Sequence, residues 1–260
     1  MTQGLGYVDP AYLDAAAALV ADAKRRSHEW MRIGPGAAAL DVGCGPGTDT
    51  IPLARVVGGT GRVAGIDRDE EMVAEADRRA QAAGVADCIE HRAGDALALP
   101  WGDAAFDAVR SERLFLHLDD PAGALAEMAR VTRRGGRVVV ADTDWGTRSV
   151  DTPETAAERA MARVLAERSL ANGFSGRRLP GLFRARGLEE IEVEAYALRV
   201  FSYPLWRLLS RMEMVERVAI EEGLLTEDEV RRLHDSLCEK DADGTFFALT
   251  TLVLVAGRVP

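Results

Sequence analysis

The first half of the chain alternates short apolar runs with stretches of helical periodicity. The apolar runs predict strands over residues 37–42, 62–67, 88–95, 106–112 and 137–144. Amphipathic spacing between them predicts helices over residues 48–58, 69–84 and 121–136. Because parallel strands need long crossover connections, which are usually helices, this order predicts a parallel sheet covered on both faces.

The second half of the chain is richer in helical patterns. It predicts helices over residues 153–172, 175–187, 204–222 and 226–240. A long strand is predicted over 188–200 and a strongly apolar last strand over 245–259. The helix that starts at 226 opens with "TEDE", which supplies an N-cap threonine and acidic residues in the first turn. We find no internal repeat or flexible linker, so one domain is the simplest interpretation.

A glycine-rich turn follows the first predicted strand, in the stretch "ALDVGCGPGTDT" at 39–50. Gly43, Gly45 and Gly47 are spaced as G-x-G-x-G, and Thr48 stands where a dinucleotide-binding loop has its third glycine. Ligands of open α/β sheets bind beyond the carboxyl ends of the strands. That rule selects residues 41–48, 67–69, 93–96, 110–117 and 142–148 as the rim of the site.

Two acidic residues narrow the choice of ligand. Asp67 closes the second strand, about 20 residues beyond the loop, where an acid accepts hydrogen bonds from ribose hydroxyls. Asp41 lies directly before the glycines, where it would repel a pyrophosphate but suit an ammonium or sulfonium group. The pair therefore indicates a nucleoside that carries positive charge.

Composition removes several classes of partner. The 260 residues carry a formal charge of −10, which opposes binding to nucleic acid. No apolar run reaches the roughly 18 residues of a membrane span, and no secretory signal is evident at the N-terminus. The three cysteines, Cys44, Cys88 and Cys238, lie far apart, which predicts free thiols in the cytoplasm and no metal site. We expect a small-molecule substrate, and an oligomer is possible.

Four motifs together resemble a known family: "LDVGCGPG", "GID", "GDALALPWGDAAFDAV" and "GGRVVVAD". They are similar to those of class I S-adenosylmethionine-dependent methyltransferases, especially the small-molecule branch that includes quinone C-methyltransferases. The resemblance is close over 37–145 and looser to the end. It implies an α/β fold: a doubly wound, Rossmann-like, seven-stranded and mostly parallel sheet with an antiparallel last strand and helical cap insertions.

The same resemblance divides the single domain of residues 1–260. It implies an N-terminal helical cap over 1–36 and a cofactor-binding core over 37–144. Helical insertions over the substrate pocket are expected at 145–187 and 201–244.

The resemblance also assigns a cofactor, S-adenosylmethionine, with S-adenosylhomocysteine as product. Asp41 would lie near the ammonium, Asp67 would hold the ribose, Asp95 would accept from the adenine amino group, and the main chain of Arg110 and Ser111 would line the methionine end. Arg68 would lie beside the adenine, or be only a surface cation. The full set of implied cofactor residues is Asp41, Gly43, Gly45, Gly47, Thr48, Asp67, Arg68, Met72, Asp95, Ala96, Arg110 and Ser111.

The acceptor side is less defined by the sequence. His117 follows the fourth strand at the rim, as a general base or substrate contact, or as a brace for the next helix beside Asp119 and Asp120. His28 precedes the first strand and is expected at the opposite end of the sheet. The predicted substrate contacts, each of which could instead be a packing residue, are Tyr7, Tyr12, His117, Asp144, Trp145 and Trp206.

We therefore predict methyl transfer to a small hydrophobic or aromatic metabolite, at an oxygen, nitrogen or carbon atom. The alternative is a cyclase or binding protein of the same fold that retains the cofactor without transferring its methyl. A nucleic-acid methyltransferase is disfavoured because the fourth strand ends in "RSER" and not in an Asn/Asp-Pro-Pro-Tyr string. A nicotinamide-dependent oxidoreductase is a more distant alternative.

Overall fold

Seven strands form one sheet in the computed structural model, in the order β3-β2-β1-β4-β5-β7-β6. The structure describes residues 19–260. The strands are β1 (Ala38–Val42), β2 (Arg62–Asp67), β3 (Ile89–Ala93), β4 (Phe106–Glu112), β5 (Thr132–Val150), β6 (Glu189–Val200) and β7 (Ala248–Arg258).

Helices follow the strands in the first half and gather in the second. They are α1 (Ala21–Trp30), α2 (Thr50–Val57), α3 (Glu70–Ala82), α4 (Pro121–Val131), α5 (Thr155–Arg163), α6 (Ser175–Ala185), α7 (Tyr203–Leu209), α8 (Met212–Glu221) and α9 (Glu227–Ala242). Single 3-10 turns form at Ala86–Cys88 and Phe115–His117, and α5 continues into a π-helical turn at Val164–Arg168. Among residues 19–260, no helix is both long and apolar enough to cross a bilayer.

The strand directions identify the edge of the sheet at which ligands of such folds bind. The pairs β1–β2, β1–β4, β2–β3 and β4–β5 are parallel, whereas β7 is antiparallel to both β5 and β6. This arrangement confirms the predicted fold class, including the antiparallel last strand. The chain order reverses between β1 and β4, and ligands of such sheets bind at this switch point, beyond the carboxyl ends of the strands.

Three packed cores stabilise the molecule. One covers the sheet face under α4 and α6, with Met128 and Phe183 fully buried, and a second covers the opposite face, with Trp30 and Leu53 buried. A third core, the cap core, lies among α5, α7, α8 and α9. Its buried members include Met161, Trp206, Met212, Val215 and Leu233.

Helix α6 differs from the predicted division of the domain. The resemblance predicts that residues 145–187 form an insertion over the pocket. In the structure, Leu179 and Phe183 of α6 pack into the same core as Val138 and Val140 of the sheet. Helix α6 is therefore a layer of the sheet domain, since its apolar face is covered by strands and not by the cap.

Strand β5 is longer than predicted at both ends. Thr132 already pairs with Phe106, so α4 ends at Val131 and not at 136. At the other end, β5 pairs with β7 until Val150 meets Ala248, after a register shift between Asp144 and Ser149. The length of β5 is set by its partners, β4 at one end and β7, which is distant in sequence, at the other.

The helix predicted over 204–222 is two helices. Arg211 adopts a left-handed conformation with φ of 52°, which breaks the helical path between α7 and α8. Ser210, just before the break, donates its hydroxyl hydrogen to the Trp206 carbonyl at 2.6 Å. The capping box predicted at the start of α9 is confirmed, because Thr226 and Glu229 exchange side-chain-to-backbone hydrogen bonds.

Candidate functional site

The glycine loop joins β1 to α2 at the carboxyl edge of the sheet. Gly43, Gly45 and Gly47 all have positive φ, between 51° and 77°, a region that side chains disfavour. A β-carbon on Gly43 would press on Leu114, and one on Gly47 would press on Ala76, whereas Gly45 faces open space. Gly43 and Gly47 therefore permit close packing, whereas the backbone of Gly45 borders open space.

Asp67 ties the end of β2 to this loop. Its carboxylate accepts a hydrogen bond from the Gly45 N–H at 2.8 Å and another from the Asp69 N–H at 3.1 Å. A carboxylate has about four lone-pair sites, so Asp67 retains acceptor capacity for hydroxyl groups. Next to it, Arg68 and Thr48 are exposed at the same edge, and Met72 lies half-buried in the first turn of α3.

The end of β3 meets the end of β2 at the same edge. The Gly94 N–H donates to the Asp67 carbonyl at 2.9 Å, which brings Asp95 beside β2. Asp95 is exposed, and one of its oxygens accepts from the Leu97 N–H at 2.9 Å. Ala96 packs against the core under α4. The predicted ribose and adenine residues are thus neighbours, as two adjacent parallel strands require.

A buried set of charged groups, here called the ion cluster, lies below the glycine loop. Arg110 is its centre: the guanidinium lies 3.2 Å from Asp41, 2.9 Å from Asp49 and 2.9 Å from Glu112. Lys24 of α1 binds both Asp49 and Glu112. All of these side chains are at most 16% exposed.

Burial sets the protonation of the ion cluster. Loss of water raises the pKa of Asp41, although Arg110 acts against this shift. Asp49 also loses water, but Arg110, His28 and Lys24 together hold its pKa well below the ordinary value. The predicted contact between Asp41 and a cofactor ammonium stays a prediction, and the structure adds that this carboxylate already faces a cation.

The expectation for His28 was wrong. It was placed at the end of the sheet away from the glycine loop because it precedes β1. In the structure, α1 lies along the sheet face, and His28 Nε2 is 2.8 Å from the carboxylate of Asp49, directly after the loop. Ser27 of the same helix accepts from Arg110 at 3.3 Å. The path of a helix before the first strand cannot be read from strand polarity.

His117 sits in the 3-10 turn after β4, as predicted, and the turn is fixed from two sides. The buried carboxylate of Asp142 accepts from the Leu116 N–H at 2.8 Å and from the Ser175 hydroxyl at 3.0 Å. The Asn172 N–H donates to the Leu116 carbonyl at 3.0 Å. Burial raises the pKa of Asp142 to about 7. Asp142 and Asn172 therefore position the His117 turn.

The surroundings of His117 keep its ring neutral. Burial, together with the charges of Arg68, Arg211 and Arg113, lowers the pKa of His117 to about 4. A neutral imidazole has a lone pair that can accept a hydrogen bond from a hydroxyl group at neutral pH. Arg211 comes from the start of α8, so the cap reaches this part of the edge.

Comparison with known proteins identifies the domain that this edge belongs to. Residues 40–140 match a protein-family model described as a methyltransferase domain. Over these residues the chain is similar to that methyltransferase domain family. The match confirms the predicted resemblance to S-adenosylmethionine-dependent methyltransferases and, with it, the predicted cofactor.

Two curated relatives agree with this identification. The chain is 31% identical over 186 residues to methyltransferase GfsG of Streptomyces halstedii, covering 71% of this chain and 64% of that protein. It is 38% identical over 124 residues to demethylmenaquinone methyltransferase of Bacillus cytotoxicus, covering 48% of this chain and 52% of that protein. The chain thus spans less than two thirds of either relative.

A solved structure has the same fold. The geranyl diphosphate C-methyltransferase of Streptomyces coelicolor, in complex with Mg²⁺, geranyl diphosphate and S-adenosyl-L-homocysteine, aligns with a TM-score of 0.60. The alignment covers 99% of this chain and 90% of that one, at 19% identity. The likeness concerns the fold alone.

Beyond the methyltransferase domain's core, Asp144 and Trp145 occupy the irregular stretch of β5. The carboxylate of Asp144 binds Arg177 and accepts from the Gly146 N–H at 3.1 Å, and the side chain is buried. Trp145 is half-buried against the cap core. These contacts give Asp144 a role in shaping the turn, and its predicted contact with substrate stays a prediction.

Three predicted substrate residues remain, namely Trp206, Tyr7 and Tyr12. Trp206 is 1% exposed inside the cap core, with its ring 5.3 Å from the guanidinium carbon of Arg148. Tyr7 and Tyr12 lie outside the described residues. Among residues 19–260, no group of three or more His, Cys, Asp or Glu side chains could hold a metal ion.

Sequence reasoning missed several residues that shape the edge: Lys24, His28, Asp49, Glu112, Asn172 and Ser175. Asp49 could have been singled out from the sequence, because it immediately precedes α2 in an N-cap position. Lys24 and Asn172 gave none, since each reaches the site only through packing of a distant helix or loop.

Proposed function

We propose that this methyltransferase domain binds S-adenosylmethionine at the carboxyl edge of β1 to β4 and transfers its methyl group to a small acceptor under the cap. The observation that carries the proposal is Gly45, which faces open space while its N–H is held by Asp67 at 2.8 Å. This pairing puts bare backbone and a ribose-binding carboxylate side by side. By the resemblance, Asp95 and Ala96 hold the adenine.

Charge in the ion cluster supports a cationic ligand. Asp41, Asp49 and Glu112 are three carboxylates, whereas Arg110 and Lys24 supply two positive charges. The ammonium of a methionine group would lie next to Asp41, where a phosphate would be repelled. The main chain of Arg110 and Ser111 would line that end of the cofactor.

The work of the protein in this reaction is mainly positioning. Bound S-adenosylmethionine supplies an activated methyl on its sulfonium. The chain has to hold the acceptor atom roughly 3 to 3.5 Å from that carbon and in line with the bond that breaks. His117 provides a neutral ring that accepts a proton where the acceptor is a hydroxyl or phenol. Asp142 and Asn172 keep the His117 turn in place.

The acceptor in this proposal is a hydrophobic or aromatic metabolite. The cap core is apolar, and one relative is named a demethylmenaquinone methyltransferase. We place the reaction in the cytoplasm on the basis of the three free cysteines, of which Cys238 is exposed. Whether oxygen, nitrogen or carbon receives the methyl is left open by this proposal.

Calorimetry with S-adenosylmethionine tests the cofactor site. Asp67→Ala is expected to raise the dissociation constant at least tenfold, about 1.4 kcal/mol, because ribose contacts and the clamp on Gly45 are both lost. Asp87→Ala is the matched control, because Asp87 is exposed just before β3, at the end of the strand away from Asp95. The affinity of this variant for S-adenosylmethionine should equal that of the wild type. An unchanged constant for Asp67→Ala would remove the ribose assignment.

Transfer of a labelled methyl group separates the two candidate activities. The purified chain is incubated with methyl-tritiated S-adenosylmethionine and a small-molecule extract, and labelled products are separated from the cofactor. A labelled product supports the methyltransferase. Tight cofactor binding with no labelled product supports the alternative, a cyclase or binding protein that retains the cofactor.

A further inference from the structure

Arg148 is a buried cation without a matching anion. The residue is 1% exposed, and its Nε and Nη1 atoms have no hydrogen-bond partner. Its Nη2 atom has one contact, with the Met212 sulfur at 3.5 Å. Among residues 19–260, no carboxylate lies within 4 Å of the guanidinium. Burial accordingly lowers the pKa of Arg148 to about 10, which still leaves it charged at neutral pH.

A second unpaired donor lies beside it. The Arg148 guanidinium stacks over the Trp206 ring at 5.3 Å, and the Trp206 Nε1 atom is also buried without a partner. Three N–H-bearing nitrogens thus share one region of the cap core and have no acceptor. Because a buried donor without a partner is destabilising, and a charged one more so, this arrangement indicates a site for an acceptor from outside the described chain.

The nearest acidic candidate within the protein is already engaged. Glu158 of α5 is buried, and one of its oxygens accepts from Arg159 Nε at 2.6 Å. Its charge raises the pKa of Arg148, but the two groups form no ion pair. The other oxygen of Glu158 lacks a partner. A water-linked pair of Arg148 and Glu158 is therefore the competing explanation for both unpaired groups.

The location of Arg148 links these donors to the candidate active site. The residue lies in the irregular stretch of β5 between Asp144 and Ser149, beyond the carboxyl edge of the sheet. Its contact Met212 directly follows Arg211, whose charge lowers the pKa of His117. The donors are thus on the cap side of the edge at which methyl transfer is proposed.

We propose that Arg148 and Trp206 bind an oxyanion group, a carboxylate or a phosphate, of the acceptor substrate. The guanidinium offers unpartnered, charged N–H donors at Nε and Nη1 to such an anion, and apolar side chains of the cap core lie around it. The substrate is then an acidic molecule with a hydrophobic body. Its description as an acceptor rests on the proposed function, whereas anion binding by Arg148 does not.

The first test compares stability without any activity assay. Arg148→Met is expected to unfold at an equal or higher temperature than the wild type in sodium chloride, because the variant no longer buries an uncompensated charge. A water-linked pair with Glu158 predicts the opposite, since removal of Arg148 would leave a buried carboxylate with less compensation. Arg163→Met, on the exposed face of α5, is the control for the substitution itself.

The second test adds the smallest probes of the two anion classes. Inorganic phosphate and acetate are titrated separately at pH 7.5 and constant ionic strength. Either is expected to give the wild type a saturable rise in Tm of about 3 °C. The rise should be absent in Arg148→Met and retained in Arg163→Met. The more effective anion distinguishes a phosphate-bearing from a carboxylate-bearing substrate.

Two results would overturn the proposal. One is a lower Tm of Arg148→Met than of wild type in sodium chloride. The other is an equal rise in Tm with phosphate or acetate in wild type and Arg148→Met. Arg148→Lys keeps the positive charge and should weaken anion binding about tenfold, because an ammonium lacks the planar set of N–H donors of a guanidinium. Failure of the proposed function would be seen separately, as no binding of S-adenosylmethionine by the wild type.

Discussion

At the scale of single residues, Asp67 has two roles in the structure and the proposal. Its carboxylate accepts from Gly45 and Asp69 within the protein, and it is proposed to accept from ribose hydroxyls as well. The loop conformation and the ribose site therefore depend on one side chain. Loss of Asp67 should consequently affect cofactor affinity more than the loss of one hydrogen bond would suggest.

His117 gives a prediction about pH. Its folded-state pKa, about 4, lies below the ordinary value of 6.5. The folded state binds fewer protons than the unfolded state between these values, so the contribution of His117 to stability is complete above pH 6.5 and is lost as the pH falls through 4. NMR titration of the His117 ring should show a midpoint near 4. A midpoint near 6.5 would contradict the burial described here.

The catalytic role of His117 has its own test. His117→Gln should lower the turnover of labelled methyl transfer at least tenfold, because a neutral amide cannot accept the proton. Affinity for S-adenosylmethionine should change less than twofold, since the ring is not among the proposed cofactor contacts. Wild-type turnover in this variant would leave His117 with a structural role only.

At the scale of elements, α1 is bound to the sheet by charge as well as by apolar packing. Lys24 and His28 both reach Asp49 at the start of α2, and Lys24 also reaches Glu112 at the end of β4. On the other side of the helix, Arg26 binds Glu194 of β6. Helix α1 thus covers the ion cluster.

Substitutions in α1 test this docking. Lys24→Met should lower the free energy of unfolding by about 2 kcal/mol, because it leaves buried carboxylates with less positive charge. Arg25→Met, one position along the same helix but exposed, should change it by less than about 0.5 kcal/mol. Urea denaturation measures both. Equal losses in the two variants would show that the ion cluster does not hold α1.

At the scale of the whole molecule, the candidate site lies where the sheet domain meets the cap. In the proposal, the sheet contributes the ends of β1 to β4 and Arg148 of β5, and the cap contributes Trp206 and Arg211, whose charge acts on His117. The turn that carries His117 is held by residues from β5 and from the loop before α6. Cofactor and acceptor are therefore expected to be bound by different parts of the fold.

Ligand-linked stability tests this division. S-adenosylmethionine at 100 times its dissociation constant should raise the free energy of unfolding by about 2.7 kcal/mol. Hydrogen exchange should slow at residues 43–48 and 67–69, and much less in α9, which lies in the cap. Protection spread equally over the cap helices would contradict the separate binding of cofactor and acceptor.

The sequence by itself determined the order of the elements and the residues at the edge of the first three strands. Alternating apolar runs and helical periodicity are local properties, and the carboxyl ends of parallel strands always meet at one edge. Gly43, Gly45, Asp67 and Asp95 therefore lie where the pattern predicted. Apolar runs also identified β6 and β7, although not the length of β5.

Only the tertiary structure decided the partners of the charged side chains. Arg110 and Asp41 are close because β1 and β4 are neighbours, while Lys24 joins them because α1 lies along the sheet face. The break at Arg211 and the uncompensated charge of Arg148 likewise depend on packing in the cap. Contacts between residues distant in sequence are set by packing energy, which leaves no periodic pattern along the chain.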